Sequence, residues 1–241
     1  MSYLRRGIGA ISVTAIFLIT LLWYWPAGQL WTLVSPWLPA AVELKSVQGS
    51  LHAGRIDEVV YTPRQGWPIG LGPVTWTWPG FAHLQLQIGQ RQPWELDTRL
   101  DGLDSHWQLT SGALDAFDMR QWPIALKGEW QGQLDAVFSL THCQRAQGRL
   151  TAEGLEILAP EPISLGDGRM TLTCTPGGAP RLQAALADPP KLELTADATL
   201  TTAGGEGRLQ GRLAGNHPVA TWWRLATPNM TFPQVDERFV W

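Results

Sequence analysis

Val74-Thr75-Trp76-Thr77-Trp78 and, one turn later, Leu84-Gln85-Leu86-Gln87-Ile88 alternate an apolar with a polar side chain at every step. Successive side chains on a strand point to opposite faces, so this alternation predicts two strands with one apolar and one polar face. The same beat returns in Leu134-Ala136-Phe138-Leu140, Met170-Leu172-Cys174, Leu182-Ala184-Leu186 and Leu192-Leu194-Ala196-Ala198-Leu200. Between the runs stand clusters of turn formers: 64–68, Thr175-Pro176-Gly177-Gly178-Ala179-Pro180, Asp188-Pro189-Pro190 and Ala203-Gly204-Gly205-Glu206-Gly207. Short strands punctuated in this way predict antiparallel hairpins in series and not β-α-β units. The expected fold is therefore mainly β: one elongated, curved antiparallel sheet, a meander or half-barrel, over residues 41–241.

In a single register, Trp76, Trp78, Leu84, Leu86, Leu134, Phe138, Leu172, Leu194 and Leu209 turn to the concave side, with Thr75, Thr77, Gln85 and Gln87 outside. Glycines recur just before the alternating runs, at Gly49, Gly54, Gly128, Gly132, Gly148, Gly168, Gly207 and Gly211. They are expected where a strand begins or a sheet bends. A weakly helical stretch from Ala113 to Trp122 ends at Pro123.

Upstream of the strands, residues 7–25 read GIGAISVTAIFLITLLWYW without a charge. About 20 apolar residues cross a hydrocarbon core of roughly 30 Å. Arg5 and Arg6 precede the stretch and the next charge is Glu43, an asymmetry that predicts a cytoplasmic N-terminus. Trp23, Tyr24 and Trp25 close the segment as an interfacial aromatic belt. A cleaved signal peptide shares the basic start. Its apolar part is shorter, however, and small residues precede its cleavage site, where this chain has three bulky aromatics. The expected organisation is a cytoplasmic tail (1–6), a transmembrane helix (7–25), a juxtamembrane amphipathic helix (26–40) and a periplasmic β-domain (41–241). The juxtamembrane helix rests on Leu30, Trp31, Leu33, Val34, Trp37 and Leu38, and is expected on the membrane surface or against the domain.

Composition narrows the function. Charged residues make up 16% of the chain, the formal charge is −3, and there are 14 Trp in 241 residues. A chain so poor in charge, with no basic run, is not built to neutralise phosphates, so nucleic acid is not an expected partner. The two cysteines, Cys143 and Cys174, fall outside the cytoplasm if the anchor is read correctly, and an even count there predicts a disulfide. Closing that loop would stabilise the fold by roughly 3–4 kcal/mol on the chain-entropy estimate.

The histidines, His52, His83, His106, His142 and His217, form no metal-ligand spacing, and no nucleophile elbow or phosphate-binding loop is present. Ser50 and His52 share a face by strand spacing with Asp57 nearby, and Asp101 with Asp104 and Asp115 with Asp118 can be drawn as carboxylate pairs. All are read as surface positions, so no catalytic residue, cofactor or metal is expected. What is left unusual is the tryptophans. Packing accounts for most, since an aromatic side chain buries 150–250 Å². The functional alternative is an apolar groove for an acyl chain or an extended peptide, with Trp76, Trp78, Leu86, Phe138, Leu172 and Leu194 as its candidate lining.

The order of these elements resembles the type II secretion system protein N family of Gram-negative bacteria. The matching residues are Arg5-Arg6 before one anchor and Pro26-Ala27 before the Leu/Trp helix. The run Leu44-Lys45-Ser46-Val47-Gln48-Gly49-Ser50-Leu51-His52-Ala53-Gly54-Arg55 follows Pro39–Val42. Further along come the Trp76 strand ending in Trp78-Pro79, and Cys143 before Ala146-Gln147-Gly148, with Cys174 in a later strand. Where the family usually reads Gly-Thr-Leu/Val-Trp-x-Gly, this chain has Ser50 and His52. The resemblance implies a non-enzymatic, single-pass inner-membrane component of the machine that exports folded proteins from the periplasm, with other secretion-system proteins as partners. The family also looks like the AsmA-type proteins, whose periplasmic sheets form an elongated hydrophobic groove, which implies lipid or another hydrophobic ligand as the alternative partner.

Overall fold

The fold comes from a computed structural model that describes residues 17, 20–21, 24–35, 42–62, 69–80, 82–90, 92–114, 125–140, 142–159, 161–201, 204–221 and 233–240. A short helix, α1 (Ala27–Val34), precedes the strands β1 (Val42–Gly49), β2 (Ala53–Tyr61), β3 (Ile69–Gly80), β4 (His83–Ile88), β5 (Trp94–Asp101), β6 (Asp104–Ala113) and β7 (Ala125–Lys127). They continue as β8 (Glu129–Ser139), β9 (His142–Ala159), β10 (Ile163–Cys174), β11 (Pro180–Asp188), β12 (Leu192–Thr201), β13 (Gly204–Leu213) and β14 (Gln234–Val240). All 14 strands belong to one antiparallel sheet whose spatial order is the chain order, except that β8 takes the place beside β6 and β7 pairs with β9 off the main path.

The strands do not keep one unbroken register, since the β2–β3, β3–β4, β6–β8, β7–β9, β8–β9 and β9–β10 pairs each carry a local register shift, but between those irregularities the pairing is continuous. On the polar face one rung passes from strand to strand through Gln48, Arg55, Thr75, Gln87, Glu95, Thr110, Gln133, Arg149, Thr171, Gln183, Asp197, Arg208 and Arg238, each directly opposite the next. On the other face Trp76, Leu86, Leu96, Leu109 and Leu134 form the neighbouring rung. A slip of one residue anywhere would send the apolar set to solvent, so the alternation itself pins the pairing. Ion pairs lace the polar side. Arg181 holds Asp197, Arg208 holds Asp236 at 2.6 Å, and Arg99 and His83 flank Asp97. Exposed pairs of this kind are screened by solvent and add little to stability.

Two apolar clusters hold the apolar face. Trp94, Trp130, Leu134, Leu150, Ala152 and Leu155 make the first; Leu192, Leu194, Leu213, Ala220 and Val235 make the second; Leu165 and Leu186 pack against both. Three tryptophans sit over glycines. A Cβ on Gly54 would lie 2.2 Å from the Trp76 ring, one on Gly112 2.5 Å from Trp94 and one on Gly168 2.7 Å from Trp130. Gly54, Gly112 and Gly168 lie inside strands, where the missing side chain leaves room for an indole. Two of the indole N–H groups are bonded to the backbone: Trp94 donates to the Ala113 carbonyl and Trp76 to those of Ser50 and Leu51, each at 3.1 Å.

Several expectations need correction. Gly132, Gly148, Gly168, Gly207 and Gly211 lie within strands and not before them. Gly148 shows why. It takes φ +121°, and a Cβ there would meet the Gln133 carbonyl oxygen at 2.2 Å, so only glycine lets β8 and β9 approach so closely. The glycines of 204–207 are the start of β13, paired with Thr201 through Ala198, and not a turn. Ser50 and His52 do not share a strand face, because residues 50–52 form the turn between β1 and β2. Of the juxtamembrane segment 26–40 the described residues are 26–35, where α1 packs on β1 and a Cβ on Gly28 would stand 3.1 Å from the Val47 carbonyl oxygen. Within 7–25 the described residues are Phe17, Thr20, Leu21, Tyr24 and Trp25, and no helix among the described residues is long and apolar enough to cross a membrane. The turn expected at 64–68, Trp37 and Leu38, and the stretch 115–122 lie outside the described residues.

Candidate functional site

The apolar face opens into a cleft of about 680 Å³. Its floor is made by side chains of the apolar face: Leu96 on β5, Leu109 on β6, Leu134 and Ala136 on β8, Met170 and Leu172 on β10, and Leu182 on β11. Leu96 and Leu200 both line it, yet their strands lie six steps apart in the sheet, about 29 Å on a flat surface. They face one cleft because the sheet curls around it.

At one end the wall turns aromatic. Trp107 and Phe138 meet edge to face with ring centroids 6.0 Å apart, and Leu140 stands beyond them at the tip of the β8–β9 hairpin. Beside it, at the same end of the strands, the β10–β11 turn, Gly177 through Pro180, continues the rim. A disulfide joins Cys143 on β9 to Cys174 on β10 beneath that turn. The Cys143 N–H donates to the Gly178 carbonyl at 2.6 Å, and a Cβ on Gly178 would lie 3.0 Å from the His142 ring, so glycine there lets turn and strand close together. The bond therefore fixes the rim of the cleft as well as two neighbouring strands.

The six candidate groove residues do not share one place. Phe138 and Leu172 line the cleft. Leu86 and Trp76 extend its floor sideways along the Leu96–Leu109–Leu134 rung, Trp76 being drawn over Gly54. Trp78, half-buried, follows Trp76 on the same face of β3, and its N–H donates to the His52 carbonyl at 2.7 Å. Leu194 lies outside the cleft, 6% exposed in the second cluster with Ala220 and Val235. Alternation places a residue on a face but does not say what covers it. Trp107, Leu96 and Leu109 are cleft residues not singled out above, although His106-Trp107-Gln108-Leu109 carries the same alternation.

The imagined chemistry is not assembled. Ser50 bonds to the backbone of Ala53, while Asp57 receives the Arg55 Nε–H at 2.9 Å on β2. Asp101 and Asp104 face each other across the β5–β6 hairpin, where Asp104 accepts a 3.4 Å contact from Gln144. Asp115 and Asp118 lie outside the described residues. Among the described residues, no group of three or more His, Cys, Asp or Glu could hold a metal ion.

The family model for type II secretion system (T2SS) protein N matches residues 40–221, from the start of β1 through β13 and the helical turn at 218–221. No curated protein and no solved structure matches the chain. A match over three quarters of the chain, spanning most of the sheet, has one consequence: the chain belongs to the type II secretion system protein N family and is a secretion-system component.

Proposed function

We propose that the chain is an inner-membrane-anchored, non-enzymatic member of the secretion machine. Residues 1–6 stay in the cytoplasm, 7–25 span the membrane, 26–40 join the anchor to the domain, and 41–241 lie in the periplasm. There the domain serves the export of folded proteins across the outer membrane by holding other secretion-system proteins. Family membership over 40–221 carries this reading. The charge-free stretch after Arg5-Arg6 supports the anchor. The Cys143–Cys174 disulfide supports the compartment, because such bonds persist in the periplasm and are rare in the cytosol.

Deleting the chain from its native host should leave exoproteins folded in the periplasm while general export into that compartment continues. Removing the β-domain and keeping residues 1–40 should have the same effect. Changing Ser50, His52 and Asp57 together to Ala should leave secretion intact; loss of secretion with a folded domain would mean that this turn does chemistry.

One observation favours a second reading. The cleft lies in the 300–1,000 Å³ range of ligand pockets and its floor is almost wholly aliphatic, so it suits an acyl chain or another hydrophobe. Organic extraction and native mass spectrometry of the purified chain would reveal such a ligand. If deletion altered outer-membrane permeability and spared exoprotein release, this reading would displace the first.

A further inference from the structure

We propose that the paired tips of the β5–β6 and β8–β9 hairpins dock on the surface of a lipid bilayer. Leu103 is 73% exposed, Leu140 75%, Leu100 52% and Trp107 42%, a high concentration of bare apolar surface for neighbouring turns. The two tips are one surface, since the Leu140 N–H donates to the Leu103 carbonyl at 3.2 Å. That surface runs directly into the cleft, whose wall includes Trp107 and Leu140.

The occupant follows from where the N-terminal segment arrives. In an antiparallel meander all turns that follow upward strands fall in one row. The β1–β2 turn, the β5–β6 turn and the β8–β9 turn belong to that row. Pro26 pairs with Ser50 in the first of them, and the Tyr24 ring lies 6.3 Å from the His52 ring. The apolar stretch 7–25 thus meets the sheet at the same row of turns that carries Leu100, Leu103 and Leu140. A bilayer holding that stretch is the apolar phase within reach. The inference rests on the proposal that 7–25 is a membrane anchor. Asp101 and Asp104 flank the Leu103 turn, and burying carboxylates in hydrocarbon is costly, so the insertion is shallow and requires no anionic lipid. Docking in this way would set the Leu140 rim of the cleft at the bilayer surface.

The test uses the full-length chain with its disulfide intact, carrying Leu103→Cys or Leu100→Cys labelled with an environment-sensitive fluorophore. Leu158→Cys serves as control, being exposed near the opposite ends of the strands. The protein is reconstituted into phosphatidylcholine–phosphatidylethanolamine vesicles with and without lipids spin-labelled high on the acyl chain. The expected result is a blue-shifted emission at 103 and 100 that loses most of its intensity with the spin-labelled lipid, and neither change at 158. Water-exposed, unquenched labels at 103 and 100 would overturn the proposal, as would equal quenching at 158, or a shift that needs an added secretion-system protein. Vesicle flotation separates the two readings: a chain that floats with unquenched tips keeps its anchor and loses the docking, and a chain that fails to float loses the anchor.

Discussion

Leu150 and Phe138 share the apolar face of adjacent strands, and truncating each to Ala should cost very different amounts. Leu150 is 0% exposed, enclosed by Trp94, Trp130, Leu134, Ala152 and Leu155. Removing three carbon atoms at about 0.8 kcal/mol each gives about 2.4 kcal/mol, and the cavity left behind raises the loss to about 3–4 kcal/mol. Phe138 lines the open cleft and is only half-buried. Half of a ring's burial is worth about 1 kcal/mol and its edge contact with Trp107 about 0.5, so Phe138→Ala should cost about 1.5 kcal/mol. A long sheet need not unfold as one unit, so the suitable assay is native-state hydrogen exchange of the full-length chain in one fixed detergent, read on the amides of β8, β9 and β10. Leu150→Ala should lower protection in all three strands; Phe138→Ala should act mainly near the β8–β9 hairpin. A loss of 3 kcal/mol or more at Phe138, matching that at Leu150, would mean that the ring sits in a closed core and that no open cleft exists there.

Three more outcomes are expected. His217 is buried, and burial holds its imidazole below the ordinary 6.5, with Lys191 adding to the shift against Asp188 and the Ser164 carbonyl. The folded state then binds fewer protons than the unfolded one, so stability is complete above about pH 6.5, falls as pH drops through that value and keeps falling until the folded imidazole protonates; the protection factors of Leu213 and Ala220, taken against the intrinsic exchange rate at each pH, should fall between pH 7 and 5, and His217→Gln should flatten the trend. The carboxyls of Asp197 and Asp236, held low by Arg181 and Arg208, add their own loss only below 3.8. Gly148→Ala, forced into φ +121° against the Gln133 carbonyl, should cost at least about 1–3 kcal/mol and widen exchange between β8 and β9. Breaking the disulfide with Cys143→Ser and Cys174→Ser should cost about 2–4 kcal/mol and loosen the Gly177–Pro180 rim, and alkylation of the native chain should find no free thiol.

What could be read from the sequence followed the period-two pattern. Trp76, Leu86, Leu134, Leu172 and Leu182 alternate so regularly that strand, face and pairing come out together, and the turns at 175–179 and 188–190 fall where Pro and Gly cluster. Glycine was the ambiguous letter. Gly204 to Gly207 resemble a turn but pair with β12, and Gly54, Gly112 and Gly168 serve as seats for indoles. Whether glycine supplies a conformation or an empty space depends on the neighbouring strand, which local sequence does not contain. The same limit applies to Leu194. Its face is legible, but its burial comes from Ala220 in the turn after β13 and from Val235 of β14, which it meets across Gly211. Pairing of β8 with β6 past β7 is likewise a tertiary choice, made by the long β9 accepting both β7 and β8.

A sheet with one apolar face has to cover it, and most domains do so with a second layer. Here the cover is shared. The second cluster is covered by the residues after β13, with Ala220, and widened within the sheet by Val235 of β14, and the first by its own large side chains seated over glycines. Between them the curl brings Leu96 and Leu200 to one cleft that the described residues do not fill. Leu109, Leu134, Met170, Leu172 and Leu182 belong at once to the packed cluster and to the cleft floor. The cleft is therefore not an addition to the fold that could vary independently of it. The alternation that sets the register also sets the chemistry of the cleft, and a charge placed on its floor would weaken the strands as much as it would repel an apolar occupant. Selection for a secretion component that holds a partner or a hydrophobe would consequently act on the rim, at Trp107, Leu140 and the Gly177–Pro180 turn, where side chains can change without moving the register.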